Sequence, residues 1–170
     1  MSHFDDVYAA HRDAVWRYFK RRSAADHEDL TTEVFLVAWR RRDELPAEPL
    51  PWLYGVARRV LANHRRAGDR RDALAERAAA HAAAAEPDPA EAVGLRTDLA
   101  RALGQLTERD RELVLLVAWE GLTVAEAAAA LGCRRGAAAV RLHRARRRLH
   151  TALNDDAGPA LAPMTVLEER

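Results

Sequence analysis

The residues best able to do chemistry in this chain are arginines, and the chemistry they suit is recognition of a polyanion. Between Leu122 and Leu149, Thr123-Val124-Ala125-Glu126 forms a capping box that opens a short alanine-rich helix ending at Leu131-Gly132. A Gly132-Cys133-Arg134 turn then leads into a long helix carrying Arg135, Arg141, Arg144 and Arg148. Two helices joined by a tight glycine turn have helix-turn-helix geometry, in which the first braces and the second enters the major groove. Ala138, Leu142, Ala145 and Leu149 recur at helical spacing and predict a buried face, with Arg141, Arg144 and Arg148 together on a different, exposed face. Ala128 and Ala129 fall where a close helix contact tolerates only small side chains. A planar guanidinium suits both phosphate and guanine. The competing reading is a plain helical hairpin with a solvated arginine face; the capping box, the glycine turn and the charge favour nucleic acid.

A second basic group lies upstream. Pro51 is suited to the first position of a helix, with Trp52, Leu53, Val56, Ala57, Val60 and Leu61 on one side. Arg58, Arg59, Asn63, Arg65 and Arg66 occupy the remainder. Trp52 and Trp39 are expected in the core. Enzymatic chemistry finds no support: there is no glycine-rich phosphate loop, HExxH or serine elbow. Of the scattered histidines only His143 and His150 share a helix, two turns apart with no carboxylate between them, so neither a metal site nor a cofactor is expected. Cys133 reads as a small core filler.

Helices must position these groups. Period-two runs of β-branched residues are absent, which predicts an all-α chain. Val7, Val15, Tyr18 and Phe19 mark an opening helix, followed by a turn at Ser23-Ala24-Ala25 with Asp26 as N-cap. Leu30, Val34, Phe35, Ala38 and Trp39 form the stripe of a second helix, and the prolines of 45–51 impose a loop. Gly68 is expected to end the third helix. The alanine-rich stretch that follows, interrupted by Glu86-Pro87-Asp88-Pro89, offers little area to bury and reads as a partly helical tether. Leu99, Leu103 and Leu106 form a further stripe; Thr107-Glu108-Arg109-Asp110 caps a core helix with Leu113, Val114, Leu116 and Val117, which Gly121 ends.

Composition agrees. Apolar residues are 49 % and charged residues 31 % of the 170, enough for a core. The formal net charge of +1 hides an uneven distribution. Residues 96–153 carry 11 basic and 6 acidic side chains, and residues 1–66 carry 12 and 10, whereas 67–95 carry 3 and 6. Two basic blocks flanking an acidic one fit two modules meeting a polyanion. No apolar run reaches a membrane span, the start lacks a signal peptide, and the single cysteine excludes an internal disulfide, so a cytoplasmic location is expected.

The string Leu122-Thr123-Val124-Ala125-Glu126-Ala127-Ala128, with Leu131-Gly132-Cys133, Gly136 and the run Arg141 to Leu149, closely resembles the C-terminal domain of extracytoplasmic-function (ECF) sigma factors. Asp29 to Trp39 resembles the family's helix that grips the clamp helices of the polymerase β′ subunit; Pro51 to Arg59, continuing through Asn63-His64-Arg65-Arg66, resembles its −10 recognition helix. The chain departs from the pattern at Ala137-Ala138-Ala139-Val140, where threonine, lysine or serine is common, at Asn63, usually aspartate, and at Arg59, often asparagine.

The resemblance implies two small helical domains joined by a flexible linker: an N-terminal domain at 1–66, a linker at 67–95, a helix-turn-helix domain at 96–153 reading the −35 element, and a disordered tail at 154–170. It implies DNA contact by Arg58, Arg59, Asn63, Arg65, Arg66, Arg135, Arg141, Arg144 and Arg148, and polymerase contact by Asp29, Glu33, Arg40, Arg41 and Arg42. The loop 43–50 is a place for a single-strand pocket, since capture of an exposed strand relies on basic grooves and aromatic platforms. Partners are then core RNA polymerase, through the β′ clamp helices and the β subunit, promoter DNA and, as a further candidate, an anti-sigma protein; no membrane insertion is expected. The alternative is a stand-alone helix-turn-helix regulator with a helical sensor domain, which would need neither the second basic block nor the clamp-like helix. A purely protein-binding adaptor leaves the arginine face unexplained.

Overall fold

A computed structural model describes residues 3–22, 26–78 and 94–156. Within them the chain is helical, with seven α-helices, one 3-10 turn and no strand. The expected turn at Ser23-Ala24-Ala25, the core of the alanine-rich tether and the tail beyond 156 lie outside the described residues.

Three helices build the N-terminal module: α1 (His3–Lys20), α2 (His27–Arg40) and α3 (Pro49–Ala78), each packed on the other two. The apolar stripes read from the sequence form its core. Val15, Tyr18, Phe19, Val34, Ala38, Leu53 and Ala57 are all but completely buried. Asp26 is the N-cap of α2 as expected, but with a left-handed φ of 64° and no side-chain capping bond. Trp39 departs from expectation: it is 47 % exposed, its ring edge-on to Phe4 and beneath the Arg42 guanidinium. It sits at the end of α2, where the adjoining helices leave one side of the indole uncovered.

Helix α3 differs from expectation at both ends. It begins at Pro49, before Pro51; first-turn N–H groups have no intrahelical partner, so prolines there cost no hydrogen bond. It also runs through Gly68 to Ala78, past the expected boundary at Arg66. One glycine inside a helix costs only about 1 kcal/mol relative to alanine, and the alanines, arginines and leucine beyond it are good helix formers.

The C-terminal module comprises α4 (Gly94–Gly104), α5 (Glu108–Ala118), α6 (Val124–Leu131) and α7 (Arg135–Asp156). Its turns follow the sequence signals. Thr107 caps α5 by accepting from the Asp110 N–H. Thr123 and Glu126 form a complete capping box on α6, and Gly132 ends that helix in the left-handed region at φ 64°. Arg111 donates to the carbonyls of Leu103, Gly104 and Leu106, so a cation closes the C-terminal end of α4. Leu103 and Leu106 pack inward, but Leu99 is 37 % exposed and Ala102 is buried in its place.

The two modules are docked. Helix α6 packs on α3 as well as on α5 and α7, and one hydrophobic core runs through both modules. Ala127, Ala128 and Ala130 of α6 are buried, whereas Ala129, expected at a close contact, is exposed. A Cβ placed on Gly55 of α3 would stand 3.0 Å from the Ala130 carbonyl oxygen. The capping box of α6 therefore braces both the reading head and the module contact. Replacing Thr123 by alanine is expected to cost about 1 kcal/mol, read as a lower urea midpoint with native helix content unchanged.

Candidate nucleic-acid interface

The buried face of α7 is the one read from the sequence: Ala138, Leu142 and Ala145 are inaccessible and Leu149 is half-buried. The opposite face carries Gly136, Val140, His143, Arg144 and Arg147, all exposed. The expected exposed stripe of Arg141, Arg144 and Arg148 divides. Arg144 and Arg148 are exposed, but Arg141 lies on the flank against α5, its side chain 29 % accessible. Both Nε and Nη2 of Arg141 reach Asp110 Oδ1 at 2.8 Å. The periodicity placed Arg141 on the exposed stripe; it could not supply the carboxylate from another helix that holds it against α5. Burial alone would raise the Asp110 pKa, but hydrogen bonds from Thr107 and Arg141 outweigh it and hold the carboxyl below its ordinary value.

Beside this face, Arg144, Arg147 and Arg148 with Arg101 and Gln105 of α4 line an open groove of about 550 Å³. At the head of α7, Arg134 and Arg135 are exposed next to the turn. This surface can attract phosphates, with few side chains at the helix start to read bases, since Ala137 and Ala139 present only methyl groups.

On the N-terminal module the five predicted DNA residues separate. Arg59, Asn63, Arg65 and Arg66 are exposed, Asn63 accepting from Arg66. Arg65 donates to the Arg22 carbonyl at 2.9 Å, and Arg58 turns inward, with Nε buried and without a partner. Asp29, Glu33, Arg40, Arg41 and Arg42 all stand exposed on α2 and the turn after it. Leu36, 49 % exposed, and Trp39 accompany them. Leu36 escaped the sequence reading because it lies off the core stripe; a large apolar residue amid the charged positions of an amphipathic helix was the available signal. Trp52, expected in the core, is half-buried against it and lines an apolar groove of about 440 Å³ with Pro46, Pro51 and Ala125.

Between the modules lies a set of charged residues that the sequence reading did not identify. Glu112 of α5 and Glu120 of the turn after it meet Arg21, Arg22, Tyr18 and Tyr54. The Arg22 Nε is 3.1 Å from Glu112 and its Nη1 2.7 Å from Glu120; Arg21 also pairs with Glu120. The Tyr18 hydroxyl donates to Glu112 at 2.9 Å, and the Tyr54 hydroxyl makes a longer contact of 3.4 Å with Glu120. The Arg22 and Glu120 side chains are 4 % and 1 % exposed, and the Arg22 guanidinium lies over the Tyr18 ring at 3.8 Å. Burial first, then the neighbouring glutamate, raises both phenol pKa values, that of Tyr54 to about 12. Removing one member of such a buried pair commonly costs about 3–5 kcal/mol. Against this, Arg22 Nη2 and Arg58 Nε are buried without partners, and an unsatisfied buried donor costs about 1–3 kcal/mol. Ion pairs between residues some ninety positions apart leave no periodic trace; the glycine in mid-helix at 55 and the alanine-rich helix 124–131 were the legible hints of a close contact.

Fold and surface together define an all-helical, two-module protein whose C-terminal module is a helix-turn-helix with an arginine-lined reading face. Family models for Sigma-70 region 2 and Sigma-70 region 4 match residues 7–71 and 96–149. The chain is 38 % identical over 134 residues to the ECF RNA polymerase sigma factor SigF of Caulobacter vibrioides, covering 75 % of this chain and 73 % of that one. It is 34 % identical over 157 residues to the RNA polymerase sigma factor CarQ of Myxococcus xanthus, covering 89 % and 90 %. The fold is similar to that of the sigma factor RpoE solved with the anti-sigma factor NepR from Bartonella quintana, with a TM-score of 0.64 at 24 % identity over 92 % of this chain and 99 % of that one. The chain belongs to the ECF class of RNA polymerase sigma factors, and its function is the initiation of DNA-templated transcription.

The Asp110–Arg141 pair makes a pH prediction. A carboxyl whose pKa is depressed by folding contributes stability above its unfolded pKa and loses it as the pH falls through the folded value. The urea midpoint should therefore drop below about pH 4, and Asp110→Asn should lower the midpoint at pH 7 while flattening that acid limb. An unchanged acid limb in the variant would assign it to other carboxylates.

Proposed function

We propose that the N-terminal module, with its boundary near residue 66 and its last helix extending beyond, binds core polymerase through α2 and the −10 element through α3, while α7 reads the −35 element. The carrying observation is that the two family matches fall in the expected order on two modules, each presenting an exposed arginine-bearing helix. Asp29, Glu33, Arg40, Arg41 and Arg42 form the polymerase surface with Leu36 and Trp39 as its apolar centre, facing the β′ clamp helices; the C-terminal module meets the β subunit. Charge at the rim with apolar anchors at the centre is the usual division of labour at a protein interface.

At the DNA, Arg59, Asn63, Arg65 and Arg66 meet the opened −10 strand, with Arg58, whose Nε is turned inward, beside them. On α7, Arg135 and Arg144 contribute base reading, Arg148 contributes backbone attraction, and Arg141 orients the helix through Asp110. The protein acts in the cytoplasm by recognition, with no cofactor and no covalent chemistry of its own. An anti-sigma protein is a further partner, a proposal supported by the solved relative of the same fold, which is held by one.

Run-off transcription tests this reading. Purified chain added to core polymerase should start RNA synthesis at a promoter, which a stand-alone regulator cannot do; DNA binding without initiation would favour the regulator. Reversing charge at Glu33 and Arg41 together should abolish co-purification with core polymerase while leaving the fold intact. Across a panel of −35 variants, Arg135→Ala should lose about 1–3 kcal/mol of discrimination at one position. Arg148→Ala should instead weaken all variants alike and reduce the salt slope by about one.

A further inference from the structure

We propose that Val140, with Ala137 beside it, reads the 5-methyl group of a thymine in the major groove of the −35 element, so that this chain selects one base of its promoter by apolar contact rather than by a hydrogen bond. The inference rests on the reading of α7 as the −35 helix and adds to it the chemistry of one position.

Position carries the first part of the case. Val140 lies in the second turn of α7, between the buried Ala138 and Leu142. At about 100° per residue it stands roughly 200° from each of them, so its side chain points away from the core, and it is 51 % exposed. Among the described residues it is the one large apolar side chain exposed on α7. Folding gives no account of it. A β-branched residue has a lower helix propensity than the alanines that precede it, and Val140 is not among the side chains packed on the core.

Its surroundings carry the second part. The same face holds Gly136 and Ala137 one turn before Val140 and His143 and Arg144 one turn after, all exposed. A Cβ on Gly136 would meet nothing within 4 Å, so no contact inside the chain requires glycine there, and bare backbone lets the start of the helix come close to something outside it. Ala137, Ala139 and Val140 stand where the family commonly has threonine, lysine or serine, and they offer methyl groups only. Exposed cations flank the patch, Arg134 and Arg135 at the head and Arg144, Arg147 and Arg148 further along. They attract phosphates and fix the helix on the duplex, which leaves the apolar centre to the base edges that the first turns of such a helix meet. A lone exposed valine is ordinary on a protein surface; this one sits on a face otherwise reduced to glycine and alanine, between two groups of arginines.

The partner follows from the chemistry of the groove. Among the four base pairs, the major-groove edge offers one apolar group, the thymine 5-methyl, and side-chain methyls pack against it. Cytosine presents an amino donor instead. Valine has no acceptor for it, and a donor buried without a partner opposes that base.

The test uses the full chain with core polymerase on a promoter from which it starts RNA synthesis. Each thymine of the −35 element, on either strand, is replaced in turn by deoxyuridine, which removes the 5-methyl and leaves every hydrogen-bonding group in place. One such replacement should lower initiation at limiting holoenzyme by about fourfold, the factor for withdrawing one methyl from an apolar contact. Val140→Ala removes two methyls from an exposed position and raises helix propensity, so the variant folds. It should lower initiation on the unmodified template and lose the sensitivity to deoxyuridine at that same thymine, and the pair of changes isolates the contact. A valine with only a structural role would lower both templates alike and leave the deoxyuridine effect unchanged; that result would overturn the inference. Indifference to deoxyuridine at every position, or a −35 element without thymine on either strand, would overturn it while the sigma-factor reading stands. Failure to initiate on any unmodified promoter would overturn that reading and this inference with it.

Discussion

Helix α6 and the surface of α3 that receives it set the terms for the rest of the molecule. An eight-residue helix with alanine at five positions lets two backbones approach closely, and Gly55 lacks the Cβ that would crowd the Ala130 carbonyl at the crossing. Such a short helix is marginal alone, so its capping box and its packing on three neighbours are conditions of its existence. The helix that braces the reading head is thereby also the helix that fastens one module to the other. Close packing supplies dispersion contacts but little apolar area, and the buried charges beside it supply orientation.

The arginines divide according to the carboxylates that reach them. Arg141 meets Asp110, and Arg21 and Arg22 meet Glu112 and Glu120; these are structural cations. Arg59, Arg65, Arg66, Arg135, Arg144, Arg147 and Arg148 are exposed and are the cations we propose a polyanion meets. Arg58 stands between, turned inward at the seam yet next to the exposed basic face of α3, where Arg65 donates to the Arg22 carbonyl. A chain in which nearly every cation is arginine can use one side chain type for both tasks because the guanidinium tolerates burial against a carboxylate as readily as it binds phosphate.

For a transcription initiation factor this division has a functional sense. Recognition at two separated promoter elements needs exposed cations on each module, and both modules present them.

Read alone, the sequence determined the helical class, the helix-turn-helix with its capping box and glycine stop, both amphipathic cores, and the family. Each rests on local periodicity or on turn chemistry a few residues long, and such signals survive without coordinates. It also placed Trp39 in the core, ended α3 at Gly68 and gave Arg141 to solvent, and these failed for one reason: each outcome depends on what a distant element leaves uncovered or brings near. The exposure of Trp39, the Asp110–Arg141 pair and the glutamates in the arginine pocket were decided only by tertiary structure, since burial and charge pairing are properties of three-dimensional neighbours and the neighbours here come from other helices, up to 99 residues away along the chain.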